Sequence, residues 1–175
     1  MEIKQKGEES IHFDHPEKIT IGIVQALWND SITGKMAQEC IDALTSHGIQ
    51  GDKIIHKTVP GSFELPLGAQ MMENTHHPDA IICLGCVIKG ETDHDVYINQ
   101  SVSQTLMSLN VRYGKPFVFG VLTVNTEKQA IQRSNGDKGN KGKEAAEVAL
   151  HMLTLKNTLK SETSNNIGFK SSNKK

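Results

Sequence analysis

A short apolar run that stops at a glycine turn constrains this chain more than any other feature. Residues Ala80 to Cys86 read AIICLGC and follow a break at His76-His77-Pro78-Asp79. An apolar run of that length between turn signals predicts a strand buried on both faces. The chain then changes character. Gly90-Glu91-Thr92-Asp93-His94-Asp95 is small and polar, and a helical pattern runs from Val96 to Tyr113. In open parallel α/β sheets, ligands lie just outside the carboxyl ends of the strands. A helix that starts there offers unpaired N–H groups to an anion. A histidine in the same turn can carry a proton near neutral pH. The turn therefore reads as half of an active site.

The same grammar repeats along the chain. Strands are predicted at Ile19–Leu27 (ITIGIVQAL), Lys53–Val59 (KIIHKTV) and Phe117–Val124 (FVFGVLTV). Helices are predicted at Ile32–His47, Leu65–Asn74 and Lys143–Leu155, with a short one at Glu127–Arg133. Met36, Cys40, Ala43 and Leu44 recur at helical spacing on one face. Pro66 is tolerated in a first turn, and Gly48 stops the helix before it. Four strands alternating with helices imply a parallel sheet with right-handed crossovers and helices on both faces. Residues 1–18 are polar and aperiodic, which fits an arm lying on a neighbour or a disordered lead. Residues 19–155 read as one domain. Residues 156–175 turn to Ser, Asn and Lys and read as a polar, mobile tail.

The bulk numbers exclude some classes. A chain of 175 residues suits one domain, and a net charge of −1 gives no basis for binding nucleic acid or an anionic membrane. No apolar run nears the ~18 residues of a membrane span, and the N-terminus lacks the order of a signal peptide. Cys83 and Cys86 have metal or redox spacing, but no second Cys or His pair completes a site. Buried thiols in a reducing cytoplasm are the expectation, with no metal.

In such a sheet all strand ends feed one edge. Trp28-Asn29, Ser62-Phe63-Glu64, Cys86 to His94, and the segment after Val124 all reach it. Trp28 and Phe63 offer flat apolar faces on which a planar heterocycle can stack, although Trp28 fits a packing residue at the rim of the core as well. Gly90-Glu91-Thr92 with Arg133 can hold a phosphate, with Lys138 and Lys141 as further cations. Arg133 and Lys141 also read as solvated charges, and Asn29 as a turn residue or cap. Glu64 opens a helix, where a carboxylate complements the dipole without any chemistry. His94 alone of the eight histidines lies beside a glycine turn at a strand end; His12, His15, His47, His56, His76, His77 and His151 read as surface or turn residues. Spacing alone supports an enzyme or a binding module for a phosphorylated small molecule.

These segments together resemble the lumazine synthase family of riboflavin biosynthesis. The residues that carry the resemblance are GIVQALWND (Gly22 to Asp30), VPGSFELP (Val59 to Pro66), LGCVIKGETDH (Leu84 to His94), FGVLT (Phe119 to Thr123), QAIQR (Gln129 to Arg133) and GNKG (Gly139 to Gly142). The resemblance implies a flavodoxin-like three-layer αβα sandwich with a central four-stranded parallel sheet. It implies condensation of 5-amino-6-(ribitylamino)uracil with 3,4-dihydroxy-2-butanone 4-phosphate, without cofactor or metal. It places Trp28, Ser62, Phe63, Glu64, Cys86, Val87, Ile88 and Phe119 at the uracil and ribityl chain. Glu91, Thr92, Arg133 and Lys141 fall at the phosphate, and His94 at the general acid/base. It further implies homopentamers, with a sixty-subunit shell as one assembly, sites shared between subunits, and association with a riboflavin synthase. Asp95 and Val96 depart from the family pattern of an aromatic and then an acid after the histidine, so Asp95 becomes the candidate acid partner. A non-catalytic flavin- or lumazine-binding module and a purely structural shell protein are the rival readings.

Overall fold

A computed structural model describes residues 11, 13, 15–134, 136 and 138–166. Its four strands are β1 (Ile21–Ala26), β2 (Ile54–Val59), β3 (Ala80–Ile88) and β4 (Phe117–Val124). They form one sheet in the order β2–β1–β3–β4, with every pairing parallel. The helices are α1 (Asp30–Ser46), α2 (Leu65–His76), α3 (His94–Tyr113), α4 (Glu127–Ser134) and α5 (Lys141–Asn166).

Strand alternation sorts the apolar residues onto two faces. Ile21 and Ile23 of β1 join Ala80, Ile82, Leu84 and Cys86 of β3 on one face, beneath α1 and α5. Val24 and Ala26 join Ile81, Cys83 and Val87 on the other, beneath α2 and α3. The result is the three-layer αβα sandwich expected from the sequence. Cys83 and Cys86 accordingly point to opposite faces. Burial pushes their thiols up to about 12 and about 11, Glu127 adding to the second, and Cys40 to about 12. At neutral pH all three are protonated thiols rather than nucleophiles or metal ligands.

Two glycines are fixed by close approach. A side chain on Gly142, the last glycine of GNKG, would run into the backbone of Met36, so its absence lets α5 cross α1 closely. A side chain on Gly85 would meet Ser62 Oγ at 2.6 Å and Leu65 at 3.0 Å. Gly85 thus lets the Ser62 turn settle onto β3.

The structure extends three elements. β3 continues two residues beyond Cys86, because β4 offers Thr123 and Val124 as partners for Val87 and Ile88. α3 begins at His94 rather than Val96. α5 runs to Asn166, which corrects the mobile-tail expectation for residues 156–166. Composition misled there: Leu155 and Leu159 keep helical spacing through the Ser/Thr/Lys stretch, and Thr158 and Thr163 bond back to carbonyls four residues earlier. Residues 167–175 lie outside the described residues, as do most of the arm and His12. Ile11 and Phe13 of the arm pack against this chain's own core.

Candidate active site

The carboxyl ends of β1, β2 and β3 open onto a cleft of about 660 Å³. Its first wall begins where β1 stops. Leu27 donates to Val59 at 2.9 Å and Trp28 to Pro60 at 3.1 Å, so the chain leans toward β2 and away from β3. Trp28 stands at the rim, 68% exposed, with its ring against Gly61. Within one chain it is not packed into the core. Asn29 follows in a left-handed conformation (φ 61°, ψ 42°). Its carbonyl accepts from Ile32 and Thr33 to start α1, while its side-chain amide donates to Cys86 O at 3.0 Å.

The second wall is the short 3-10 turn Ser62–Glu64. Ser62 is buried against Gly85, and Phe63 stands out into the cleft mouth, 59% exposed. Glu64 Oε2 accepts the Gly61 N–H at 3.0 Å. One carboxylate oxygen is thus committed to the turn, and the other remains for hydroxyl donors of a ligand.

The floor is an unfinished strand edge. β1 pairs with β3 only as far as Gln25–Leu84, whereas β4 follows β3 to Ile88. Even-numbered residues of β3 face β1, since Ile81 and Lys89 donate toward β4. Cys86 and Ile88 therefore direct their backbone groups at the space β1 has left. A planar ring with alternating donors and acceptors can pair there as a strand would.

The third wall is the Gly90 turn and the start of α3, with Thr92, His94, Asp95, Tyr97 and Ile98 lining the cleft. His94 is the first residue of α3, and no side chain caps the helix. A bare helix N-terminus attracts anions with roughly half a positive charge. Here Glu91, Asp93 and Asp95 surround it with three carboxylates. Against that count the dipole alone does not win, so a phosphate in this turn needs cations from elsewhere. Asp95 Oδ1 and Asn99 Oδ1, one turn apart on α3, are buried without a hydrogen-bond partner.

The structure therefore gathers Trp28, Ser62, Phe63, Glu64, Cys86, Val87, Ile88, Thr92 and His94 around one cleft. It does not bring the remaining expected residues there. Glu91 sits beside the cleft on the exposed turn without lining it. Phe119 and Lys141 line a different cleft of about 650 Å³, between α3 and α5 along the outer side of β4. Arg133 lies on α4 and donates to Gln129 O at 3.5 Å; Lys141 pairs with Glu144 at 3.4 Å. The four strand ends share one edge of the parallel sheet as expected, but the segment after β4 does not line this cleft within a single chain. β4 is the outer strand, and the helix after it, α4, packs with α1 and α5. Sequence reasoning passed over Tyr97 and Ile98 as site residues. Their three- and four-residue spacing from His94 on one helix was the available signal.

A family model described as 6,7-dimethyl-8-ribityllumazine synthase matches residues 18–157. A Cytophaga hutchinsonii protein of that name is 48% identical over 132 residues, covering 75% of this chain and 83% of that protein. One from Parabacteroides distasonis is 44% identical over 138 residues (79% and 86%), and one from Rhodopirellula baltica 46% over 142 residues (80% and 90%). A match of this extent, over the same residues that build the cleft, shows that the chain belongs to the 6,7-dimethyl-8-ribityllumazine synthase family.

Proposed function

We infer that this chain condenses 5-amino-6-(ribitylamino)uracil with 3,4-dihydroxy-2-butanone 4-phosphate, giving 6,7-dimethyl-8-ribityllumazine, phosphate and water. The observation that carries the reading is the β3 edge that β1 leaves beyond Leu84, beside Trp28, Glu64 and His94 in one cleft. The uracil ring pairs with that edge and stacks on Trp28. The ribityl hydroxyls reach Ser62 and Glu64 beneath Phe63. The ring amine attacks the carbonyl of the second substrate, and His94 moves protons as the imine forms and water leaves. Phosphate departure is aided by fixed positive charge. Much of the rate comes from holding both substrates in contact.

The charge comes from a second copy. Arg133 and Lys141 are the cations in question, and with Phe119 they lie away from the cleft within one chain. Exposed apolar residues line both the cleft mouth (Trp28, Phe63 and Tyr97) and the separate groove between α3 and α5 (Met107, Val148 and Met152). Unlike surfaces that pair head to tail generate rings. In the proposed pentamer each cleft is closed by the Phe119–Arg133–Lys141 side of the next subunit. The short connection between α4 and α5 favours the sixty-subunit shell, with a riboflavin synthase as partner. Three unpaired cysteines suit a reducing cytoplasm, and no helix among the described residues is long and apolar enough to cross a membrane.

Mixing the purified protein with both substrates tests the reading. Lumazine absorbance should rise with equimolar release of phosphate. A binding module would take up the lumazine yet release no phosphate, and that result would overturn the enzymatic reading.

A further inference from the structure

Gln25 is a polar residue in an apolar strand, 4% exposed and outside the cleft. Its side chain is nevertheless fully engaged. Nε2 donates to Asp30 Oδ1 at 3.1 Å and to Thr33 Oγ1 at 3.4 Å. A carboxylate oxygen can only accept, so Asp30 fixes which end of the amide is nitrogen. Oε1 is then the acceptor for His56 Nε2 at 2.9 Å, and His56 carries its proton there. Thr33, fully buried, accepts from Gln25 and donates its hydroxyl to Ala26 O at 2.7 Å.

That last bond falls at a decisive place. Gln25–Leu84 is the final pair between β1 and β3. Continuing the parallel ladder would bring the Cys86 N–H to the Ala26 carbonyl. Thr33 donates to that carbonyl from α1. Leu27 and Trp28 are meanwhile drawn to Val59 and Pro60, and Asn29 covers Cys86 O. We propose that Gln25 and Thr33, held by Asp30 and His56, are positioning residues that fix where β1 leaves β3 after Leu84, hold the strand edge beyond it for the substrate ring, and aim the Trp28–Asn29 turn at it. The proposal rests on the reading of this cleft as the ring site. Buried polar networks fix geometry when every member is satisfied. An apolar residue at position 25 would fill the strand as well but would leave α1 without this tie.

Thr33→Val removes the hydroxyl at nearly constant shape, and Thr33→Ser keeps it. Gln25→Met breaks the network from the other side and carries the test should Thr33→Val not fold. In the assembled enzyme, Thr33→Val and Gln25→Met should raise KM for the uracil substrate roughly tenfold, the scale of one misplaced buried hydrogen bond. The KM for the phosphorylated substrate should stay put, and Thr33→Ser should recover most of the loss. Trp28 is the only tryptophan, so quenching of its emission by 6,7-dimethyl-8-ribityllumazine reads ring binding directly. Both variants should weaken the quenching titration by the same factor and increase fast depolarisation of Trp28. Folded variants with unchanged uracil KM and unchanged Trp28 anisotropy would overturn the proposal. So would a parallel loss in both KM values and kcat, the pattern of general destabilisation. If the wild type itself shows no quenching, the ring-site reading fails and the proposal falls with it. If the wild type and both variants quench alike, the positioning role alone falls.

Discussion

The side-chain amide of Asn29 donates to the Cys86 carbonyl at 3.0 Å from a residue whose own backbone is left-handed. The contact joins the end of β1 to the middle of the cleft floor across 57 positions of sequence. Outside glycine, a left-handed residue costs about 1–2 kcal/mol, which asparagine tolerates best. Two substitutions separate the two roles. Asn29→Gly keeps the backbone and loses the amide; it should weaken lumazine binding while leaving stability close to the parent. Asn29→Ala loses the amide and adds strain, so its unfolding free energy should fall by about 1 kcal/mol further. Titration calorimetry with lumazine and denaturant unfolding check both.

His94 opens α3 at the cleft wall, whereas Arg133 lies on α4 outside it. His94→Ala should slow turnover by about 10²-fold, the lower range for a general acid/base, without abolishing it. Its KM for the phosphorylated substrate should be nearly unchanged. Arg133→Ala should raise that KM and spare uracil binding. Complete inactivity of a folded, assembled His94→Ala protein, or an unchanged KM in Arg133→Ala, would contradict these roles.

Lys115 serves the fold rather than the site. Its Nζ lies 2.9 Å from both oxygens of the buried Glu73 carboxylate and 2.8 Å from Pro78 O, at the end of the sheet opposite the cleft. Lys115→Met leaves that buried carboxylate with the exposed His77 at 3.6 Å, and loss of a partner from a buried pair costs about 3–5 kcal/mol. Urea unfolding should show a drop of that size. A folded Lys115→Met enzyme should turn over normally per molecule, because no cleft residue touches the pair.

Much of this organisation was legible in the sequence. β4 falls where the apolar run FVFGVLTV placed it, and the strand–turn–helix at Ala80–Asp95 delivers His94 to the cleft. What escaped was non-local. β3 outlasts its apolar run because β4 pairs with Val87 and Ile88, which no single-segment pattern can report. Leu155 and Leu159 carry α5 through a polar composition. Asn29 read as a cap or turn, and it does start α1, but its side chain serves Cys86, a contact set by the parallel crossover. His56 read as a surface residue and is exposed, yet it donates to Gln25, whose polarity within ITIGIVQAL was the unused sign of a partly buried network. Phe119, Arg133 and Lys141 carry family motifs yet lie off the cleft, since a motif records a site without saying which copy of the chain supplies each part.

His56 ties this network to pH. Burial lowers its pKa below the ordinary histidine value. The unfolded chain therefore binds the proton more readily. The stabilising contribution is present above the ordinary value near 6.5 and is lost as pH falls through the lowered folded value. Melting temperatures of the parent should decline as pH falls below about 6.5, and those of His56→Gln should decline less. Equal slopes would mean that His56 contributes nothing to the acid sensitivity.

The most direct measurement addresses the shared site. Trp28→Ala/His94→Ala cripples the cleft, and Arg133→Ala/Lys141→Ala cripples the side proposed to close it. Each double variant alone should be nearly inactive in lumazine formation. When the two are co-expressed in equal amounts, head-to-tail assembly pairs an intact cleft with an intact neighbour in about a quarter of the interfaces. Recovery to about that fraction of parental kcat is the expected result. Mixed assemblies no more active than either variant alone would contradict a site built from two copies of this chain.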